Sequence, residues 1–150
     1  MKQEDKELLL KDLCARLPYK PIVHINNCGI WNLRGIDHDN TAELRDRVIV
    51  WYGENHPTSK NSFPIIDCKP YLFPLSSMTE EQKSYLHFNT KFGFDSCNDL
   101  TVKIDEDDTY FYTDTYDYIS LIDWLNKNHF DYRGLIEKGL AIDATNLNIY

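Results

Sequence analysis

The stretch PIVHINNCGIWNLRGID, residues 21–37, alternates apolar and polar side chains on either side of an Asn-Asn-Cys-Gly turn. Alternation with a period of two is typical of β-strands, and Asn and Gly accept the backbone angles of tight turns. Val23 and Ile25 would share one face on the first arm, followed by Trp31 and Leu33 on the second. The stretch therefore predicts a β-hairpin.

Further strands are predicted after this hairpin. RVIVWYG is rich in β-branched and aromatic residues, which favours a third strand over residues 47–52. FPIIDC can supply a fourth, but Pro64, Pro70 and Pro74 remove N–H donors, so edge or irregular backbone is expected there. LTVKI and TYFYT, on either side of the acidic segment DEDD, predict a second hairpin.

Three helices are indicated by apolar periodicity and capping signals. The first covers residues 4–17 and is closed by Pro18; the second covers residues 79–88; the third begins near residue 117. The predicted apolar stripes are Leu10, Leu13, Cys14 and Leu17 on the first, and Tyr118, Leu121, Ile122 and Leu125 on the third. The second helix starts with two overlapping capping boxes, Ser77 with Glu80 and Thr79 with Gln82.

The segment NHFDYRGLIEKGLA, residues 128–141, predicts a short fourth helix. Asp131 would be its N-cap, and Phe130 with Leu135 would form a hydrophobic staple. Gly139 would end it in a Schellman motif, with Leu140 against Leu135. These roles leave His129, Tyr132 and Arg133 unassigned, so these three are candidate binding residues.

Together these elements predict one α+β domain over residues 1–150. It has an N-terminal helix, an antiparallel sheet of four to six short strands, a middle helix and a C-terminal helix pair. A half-open barrel is one form that the sheet can take.

The charge of the chain favours some partners over others. It has 24 acidic and 16 basic residues and a formal net charge of -8, and residues 95–117 contain Lys103 as their one cation. Such a surface repels phosphate backbones and anionic lipid, whereas it suits a basic protein. The candidate contact residues in this acidic, tyrosine-rich region are Asp105, Asp107, Asp108, Tyr110 and Tyr112.

Two other classes of function remain open. A small metal-dependent hydrolase or nuclease could use Asp37, Asp39 and the aspartates of residues 105–108, although neither segment fits an EF-hand loop. A nucleic-acid-binding accessory protein could use Arg34, Arg45 and Arg47, although four acidic residues lie among them. The glycine-rich phosphate loop, the dinucleotide fingerprint and the G-x-S-x-G elbow are all missing, and no cofactor is predicted.

The cysteines favour a reducing compartment. Cys14, Cys28, Cys68 and Cys97 lie far apart without a CxxC pair, and no apolar run reaches the roughly 18 residues of a membrane span. Four free thiols in the cytoplasm, with Cys14 in the core, are therefore expected.

Three segments carry a resemblance: LLLKDLCARLPY, KPYLFPLSSMTEEQ and DWLNKNHFDYRGLIEKGLA. Together they cover about a third of the chain and resemble a group of small uncharacterised proteins of gut Bacteroidetes, their phages and other mobile elements. Phe73 stands where that group is expected to have arginine, and the ending IDATNLNIY also departs from its pattern. The resemblance implies a cytoplasmic setting and a mobile-element context, without an activity.

The sequence thus predicts a non-enzymatic cytoplasmic protein-binding module that recognises its partner through the acidic, tyrosine-rich surface. The partner would be another protein, a basic one by charge, and neither a membrane nor a nucleic acid.

Overall fold

The computed structural model describes residues 1–37, 47–51, 60–89, 92–94, 100–102 and 115–150. The predicted hairpin is present as strands β1, Ile22–Ile25, and β2, Gly29–Asp37, which pair antiparallel. Its turn uses Asn27 and Gly29 at φ of 60° and 83°. Val23 and Ile25 are fully buried, which confirms that they share the inner face.

The main sheet is mixed and open. Five strands run antiparallel in the order β4-β3-β2-β1-β5, and two strands of two residues each, β8 and β9, pair parallel to β5. The expected α+β class is confirmed, but the sheet is not wholly antiparallel and does not close toward a barrel. The remaining strands are β3 Arg47–Trp51, β4 Lys60–Pro64, β5 Cys68–Pro74, β8 Phe130–Asp131 and β9 Ile142–Asp143.

The expectation of edge or irregular backbone in this proline-containing region is confirmed for residues 60–67, where β4 is an outer strand and Ile65–Asp67 is a 3-10 turn, but it is wrong for β5. Strand β5 lies inside the sheet, because its first half pairs with β1 and its second half pairs with β8 and β9. Partners change along the strand, so no neighbour needs an unbroken row of N–H donors from it. Pro74 lies at the end of β5, and Pro64 ends the outer strand β4.

Helices α1, Gln3–Arg16, α2, Glu80–Asn89, and α3, Thr115–Lys127, match the three predicted helices. The buried face of α1 is not the expected stripe, however. It consists of Leu9, Asp12, Leu13 and Arg16, whereas Cys14 is exposed. A charged pair four residues apart has therefore replaced part of the apolar stripe, and the expectation that Cys14 belongs to the core is wrong.

One of the two predicted capping boxes forms at the start of α2. The main-chain N–H of Thr79 donates to Gln82 Oε1 at 2.9 Å, and the N–H of Gln82 donates to Thr79 Oγ1 at 3.2 Å. The hydroxyl of Ser77 instead donates to the carbonyl of Pro74 at 2.7 Å. The bond between Ser77 and Pro74 closes the 3-10 turn that connects β5 to α2.

The second member of the predicted C-terminal helix pair is a series of turns. The predicted cap and stop are nevertheless present: Asp131 accepts N–H groups, and Leu140 N–H donates to the Leu135 carbonyl at 2.8 Å. The predicted staple is not, because Phe130 and Leu135 belong to different apolar clusters. Gly139, at φ 69°, donates to Ile136 at 2.9 Å. Gly134, also at φ 69°, breaks the helix between these signals, so only about one turn remains.

The described residues also include a separate two-stranded ribbon, β6 Phe92–Phe94 with β7 Leu100–Val102. The segment LTV thus pairs with an earlier strand, while the acidic turn and TYFYT of the predicted second hairpin lie outside the described residues. None of the described helices has the length and apolar character that crossing a membrane requires.

Two apolar clusters form the core. The first lies between α1 and the inner face of the sheet and includes Leu13, Val23 and Leu72. The second joins α2 to α3 through Leu86, Leu125 and Phe130. Strand β5 passes from the first cluster to the second, since Leu72 belongs to one and Phe73 packs against the other.

Candidate functional site

A cleft of about 490 Å³ lies where the end of β5, the start of α2 and the turn after α3 meet. Its volume falls within the usual range for binding pockets. Its lining combines aromatic rings with polar side chains. The aromatic lining is Phe73, Phe130, Tyr150 and the His129 ring; the polar lining is Ser77, Thr79, Gln82, Lys127, Asn128 and Thr145.

The aromatic lining of the cleft belongs to a continuous series of rings. Each ring contacts the next with centroids 3.9 to 6.2 Å apart, in offset, tilted or stacked arrangements that aromatic pairs prefer. The order is Tyr85, Trp124, Phe130, Phe73, Tyr150 and His129. Because each ring is held by its neighbours, the wall of the cleft is formed before any partner arrives.

Tyr150 is fixed by its hydroxyl group. It donates to the Tyr71 carbonyl at 3.0 Å and accepts the Ile22 N–H at 3.2 Å. Burial of this hydroxyl raises the pKa of Tyr150 to about 12, although 44% of the residue remains exposed. The exposed part therefore lies on the ring and main chain, and the phenol stays protonated at neutral pH.

His129 lines the cleft and is held in place by its main chain. Its N–H donates to the Asn126 carbonyl at 3.2 Å, and its own carbonyl accepts the Phe73 N–H at 2.9 Å. It has a φ of 58°, in the left-handed region that non-glycine residues seldom occupy. One hydrogen bond at the N–H of His129 and one at its carbonyl thus hold the residue in a conformation that non-glycine residues seldom adopt.

The imidazole of His129 is neutral at physiological pH. It is 7% exposed and stacks on the Tyr150 ring at 3.9 Å. Burial, assisted by the positive charge of Arg16, lowers the pKa of His129 to about 4. Its Nδ1 is buried without a hydrogen-bond partner among the described residues.

Asp12 and Arg16 form an ion pair, and the side chains of both residues are fully buried. Arg16 Nε donates to Asp12 Oδ2 at 2.8 Å and Nη2 donates to Oδ1 at 3.1 Å. Nη2 also donates to the Phe130 carbonyl at 2.7 Å. Helix α1 is thereby tied to the residue that follows His129.

Tyr132 and Arg133, the other two unassigned residues, lie on the ion-pair side. The guanidinium groups of Arg16 and Arg133 lie over the Tyr132 ring, 5.5 and 4.9 Å from its centroid. The Tyr132 hydroxyl donates to Asn126 Oδ1 at 3.0 Å, and Arg133 Nε lies 3.9 Å from Asp12 Oδ1. His129 thus lines the cleft, whereas Tyr132 and Arg133 do not.

The other predicted contact residues cannot be placed beside these groups. Asp105, Asp107, Asp108, Tyr110 and Tyr112 lie outside the described residues, as do Asp39 and Arg45. Asp37 and Arg34 are exposed on β2. The predicted acidic surface, metal site and basic patch therefore stay predictions.

Metal and thiol chemistry gain no support from the described part of the chain, where no group of three or more His, Cys, Asp or Glu side chains is placed to hold a metal ion. Cys68 lies in the core, and its burial raises the pKa of the thiol to about 12. Cys14 and Cys28 are exposed free thiols.

Sequence reasoning missed four residues of this region: Asp12, Arg16, Phe73 and Tyr150. The helical spacing of Leu9, Asp12, Leu13 and Arg16 was a usable signal, because a charged pair four apart can neutralise itself on a buried face. No local pattern places Tyr150 beside β5, since that contact spans 79 residues.

Comparison with known proteins found no family model, no curated protein and no solved structure that matches this chain.

Proposed function

We propose that the protein is a non-enzymatic protein-binding module, of phage or mobile-element type, whose cleft receives an aromatic side chain of its partner. The observation that supports this proposal is the preformed aromatic wall of Phe73, Phe130 and Tyr150 in a cleft that polar side chains also line. An inserted ring would gain stacking contacts on that wall while its polar end met the polar side chains.

The acid–base properties of the cleft also favour binding over proton transfer. A catalytic acid or base works best with a pKa near the working pH. The pKa values of His129 and Tyr150, about 4 and about 12, are displaced from neutrality in opposite directions. Neither group is thereby suited to exchange protons at pH 7, whereas both supply a planar surface.

We also propose that the acidic segment of residues 105–117 steers the partner toward the protein. Its charge would attract a basic partner from a distance, and the cleft would then fix the bound geometry. Charge reversal in the segment should slow association, while changes in the cleft should speed dissociation.

The test is affinity capture from the native host, followed by quantitative mass spectrometry, with three versions of the full chain as bait. Lys127→Trp adds a bulky side chain at the lining of the cleft, and Lys138→Trp makes the same change at an exposed position outside it. Both variants lose the same charge, so we expect a specific protein to be recovered by wild type and Lys138→Trp and depleted several-fold with Lys127→Trp. Equal recovery with all three baits would show that the cleft is not the contact.

A fourth bait, carrying Asp105→Lys, Asp107→Lys and Asp108→Lys, tests the steering surface separately. The association rate of the recovered partner with this variant should fall, and the difference should shrink as salt is added, because screening weakens charge steering. An unchanged association rate at low salt would remove the acidic segment from the proposal.

A further inference from the structure

Three buried side-chain nitrogen atoms have no hydrogen-bond partner among the described residues: Arg16 Nη1, Arg133 Nη1 and His129 Nδ1. Two of them belong to guanidinium groups that lie over the Tyr132 ring. Buried polar atoms are nearly always paired, because leaving one unpaired costs roughly 1–3 kcal/mol. Three unpaired atoms of this kind in one region indicate that a bonding group is missing from it.

The geometry of Arg16 shows which way its free nitrogen faces. The guanidinium is planar, and one edge, formed by Nε and Nη2, is fully used by Asp12 and the Phe130 carbonyl. Nη1 belongs to another edge of the same plane, so Asp12 cannot satisfy it in this arrangement. The side chain is fully buried, so bulk water does not satisfy it either.

Arg133 brings a second cation to the same place. Its guanidinium and that of Arg16 both lie over the Tyr132 ring, and both approach Asp12 Oδ1. Asp131 is near in sequence, but its two oxygens accept the main-chain N–H groups of Arg133, Leu135 and Ile136. Among the described residues, the two guanidinium groups therefore share the carboxylate of Asp12.

The part of this region that the structure describes lacks hydrogen-bond acceptors for these three nitrogens. Guanidinium nitrogens can only donate, and Nδ1 of a neutral imidazole donates in one of its two tautomers. Arg16 lies close to His129, because its Nη2 bonds to the main chain of the adjacent residue Phe130 and its charge helps to lower the pKa of the imidazole. A group with several acceptor oxygens and a negative charge would satisfy all three nitrogens.

We propose that Arg16, Arg133 and His129 form a binding site for a small oxyanion, a phosphate or carboxylate group. Charge-assisted bonds from two guanidinium groups are the chemistry by which proteins commonly recognise such oxyanions. An oxyanion would enter the site from solvent at Arg133, because 16% of the surface of that side chain is exposed whereas none of the Arg16 side chain is.

The experiment is a calorimetric titration of the full chain with inorganic phosphate, and separately with acetate, at an ionic strength held constant with sodium chloride. We expect saturable binding of at least one of the two, and the stronger of them identifies the oxyanion class. Arg133→Gln should weaken it by about tenfold or more, the loss of one charge-assisted hydrogen bond. Lys11→Gln removes an exposed cation of α1 and should leave the affinity unchanged.

Nuclear magnetic resonance keeps the proposal falsifiable if Arg133→Gln disturbs folding. Titration of the wild-type chain with phosphate or acetate should shift the side-chain N–H signals of Arg16 and Arg133 and the His129 ring signals together. Arg133→Lys keeps the charge and should retain weaker binding. Absence of saturable binding to both anions, shifts confined to exposed lysines, or equal affinity in Arg133→Gln would each overturn the site.

Discussion

Asp12 and Arg16 are fully buried, and their burial shows how a helix can take charge into a core. Removing two ions from water is costly, and their attraction offsets that cost only when the remaining donors and acceptors are also paired. The bidentate geometry and the bond to Phe130 supply much of this pairing. We therefore expect the pair to fix one orientation of α1 on the sheet and to add little to the free energy of unfolding.

Truncating one member of this pair should cost far more than truncating both. Arg16→Met leaves the buried charge of Asp12 without its bidentate partner and with Arg133 at 3.9 Å, so the free energy of unfolding should fall by about 3–5 kcal/mol. Adding Asp12→Leu removes that charge, so the double variant should recover part of the loss. Urea denaturation of the wild type, both single variants and the double variant gives the coupling energy. Additive losses would mean that the two side chains do not interact in solution.

His129 should make folding stability depend on pH. Its pKa falls from 6.5 to about 4 on folding, so the unfolded chain binds more protons between these values. The resulting contribution, roughly 3 kcal/mol, is fully present above pH 6.5 and is lost as the pH falls toward 4.

The variant His129→Asn isolates this effect, because Asn accepts the left-handed conformation while lacking the titrating ring. Its free energy of unfolding should be lower than that of wild type at pH 7.5, and the difference should shrink or reverse at pH 4.5. Chemical denaturation at both values makes the comparison. Parallel pH profiles for the two proteins would show that His129 is not buried as a neutral ring.

At the scale of the element, residues 131–141 show that start and stop signals act even where no regular helix forms. Asp131 accepts three main-chain N–H groups at 2.7 to 3.3 Å, and Gly139 permits the Leu140-to-Leu135 bond of a Schellman stop. These signals require only one turn between them. The length of the element is instead limited by Gly134, whose φ of 69° interrupts the helical backbone.

Gly139→Ala should lower the free energy of unfolding by about 1–2 kcal/mol. A Cβ atom is disfavoured at a φ of 69°, although no neighbouring atom would clash with it. Gly139→Asn should lose less, because Asn accepts this conformation better, and Lys138→Ala, at an exposed neighbouring position, should change little. Thermal unfolding ranks the three variants, and equal stability of Gly139→Ala and wild type would contradict the left-handed stop.

At the scale of the whole molecule, the last nine residues hold distant parts of the sheet together. Ile142 and Asp143 pair with β5, the Ala144 N–H donates to the Leu72 carbonyl at 2.8 Å, and Tyr150 bonds to Tyr71. Tyr150 also accepts the N–H of Ile22 at the start of β1. The two central strands are thus joined by a segment from the far end of the chain.

Deletion of residues 142–150 should therefore destabilise β1 and β5 specifically. The carbonyls of Tyr71 and Leu72 would lose their partners, at roughly 1–3 kcal/mol for each group left buried. Hydrogen exchange should accelerate in residues 22–25 and 68–74 and change less in α2. Tyr150→Phe, which removes only the hydroxyl, should give a smaller change in the same peptides. Unchanged exchange in the deletion variant would mean that this segment does not support the sheet.

The local parts of this structure were predictable because their causes lie within a few residues. The hairpin follows from alternation and the Asn-Asn-Cys-Gly turn, the start of α2 from the Thr79 and Gln82 pair, and the last stop from Gly139. Sequence also singled out His129, Tyr132 and Arg133 by elimination, and two of them, His129 and Arg133, carry buried unpaired nitrogens.

The sequence by itself determined the α+β class, the three helices and the main turns of this protein, because hydrogen bonding and side-chain packing over short distances choose these. Only the tertiary structure decided that Asp12 and Arg16 are buried, that β5 lies inside the sheet, and that Tyr150 and His129 stack beside Phe73. The physical reason is that burial and pairing depend on which distant segments meet. The contacts of Asp12, Phe73, His129 and Tyr150 form only when segments from both ends of the chain pack beside β5.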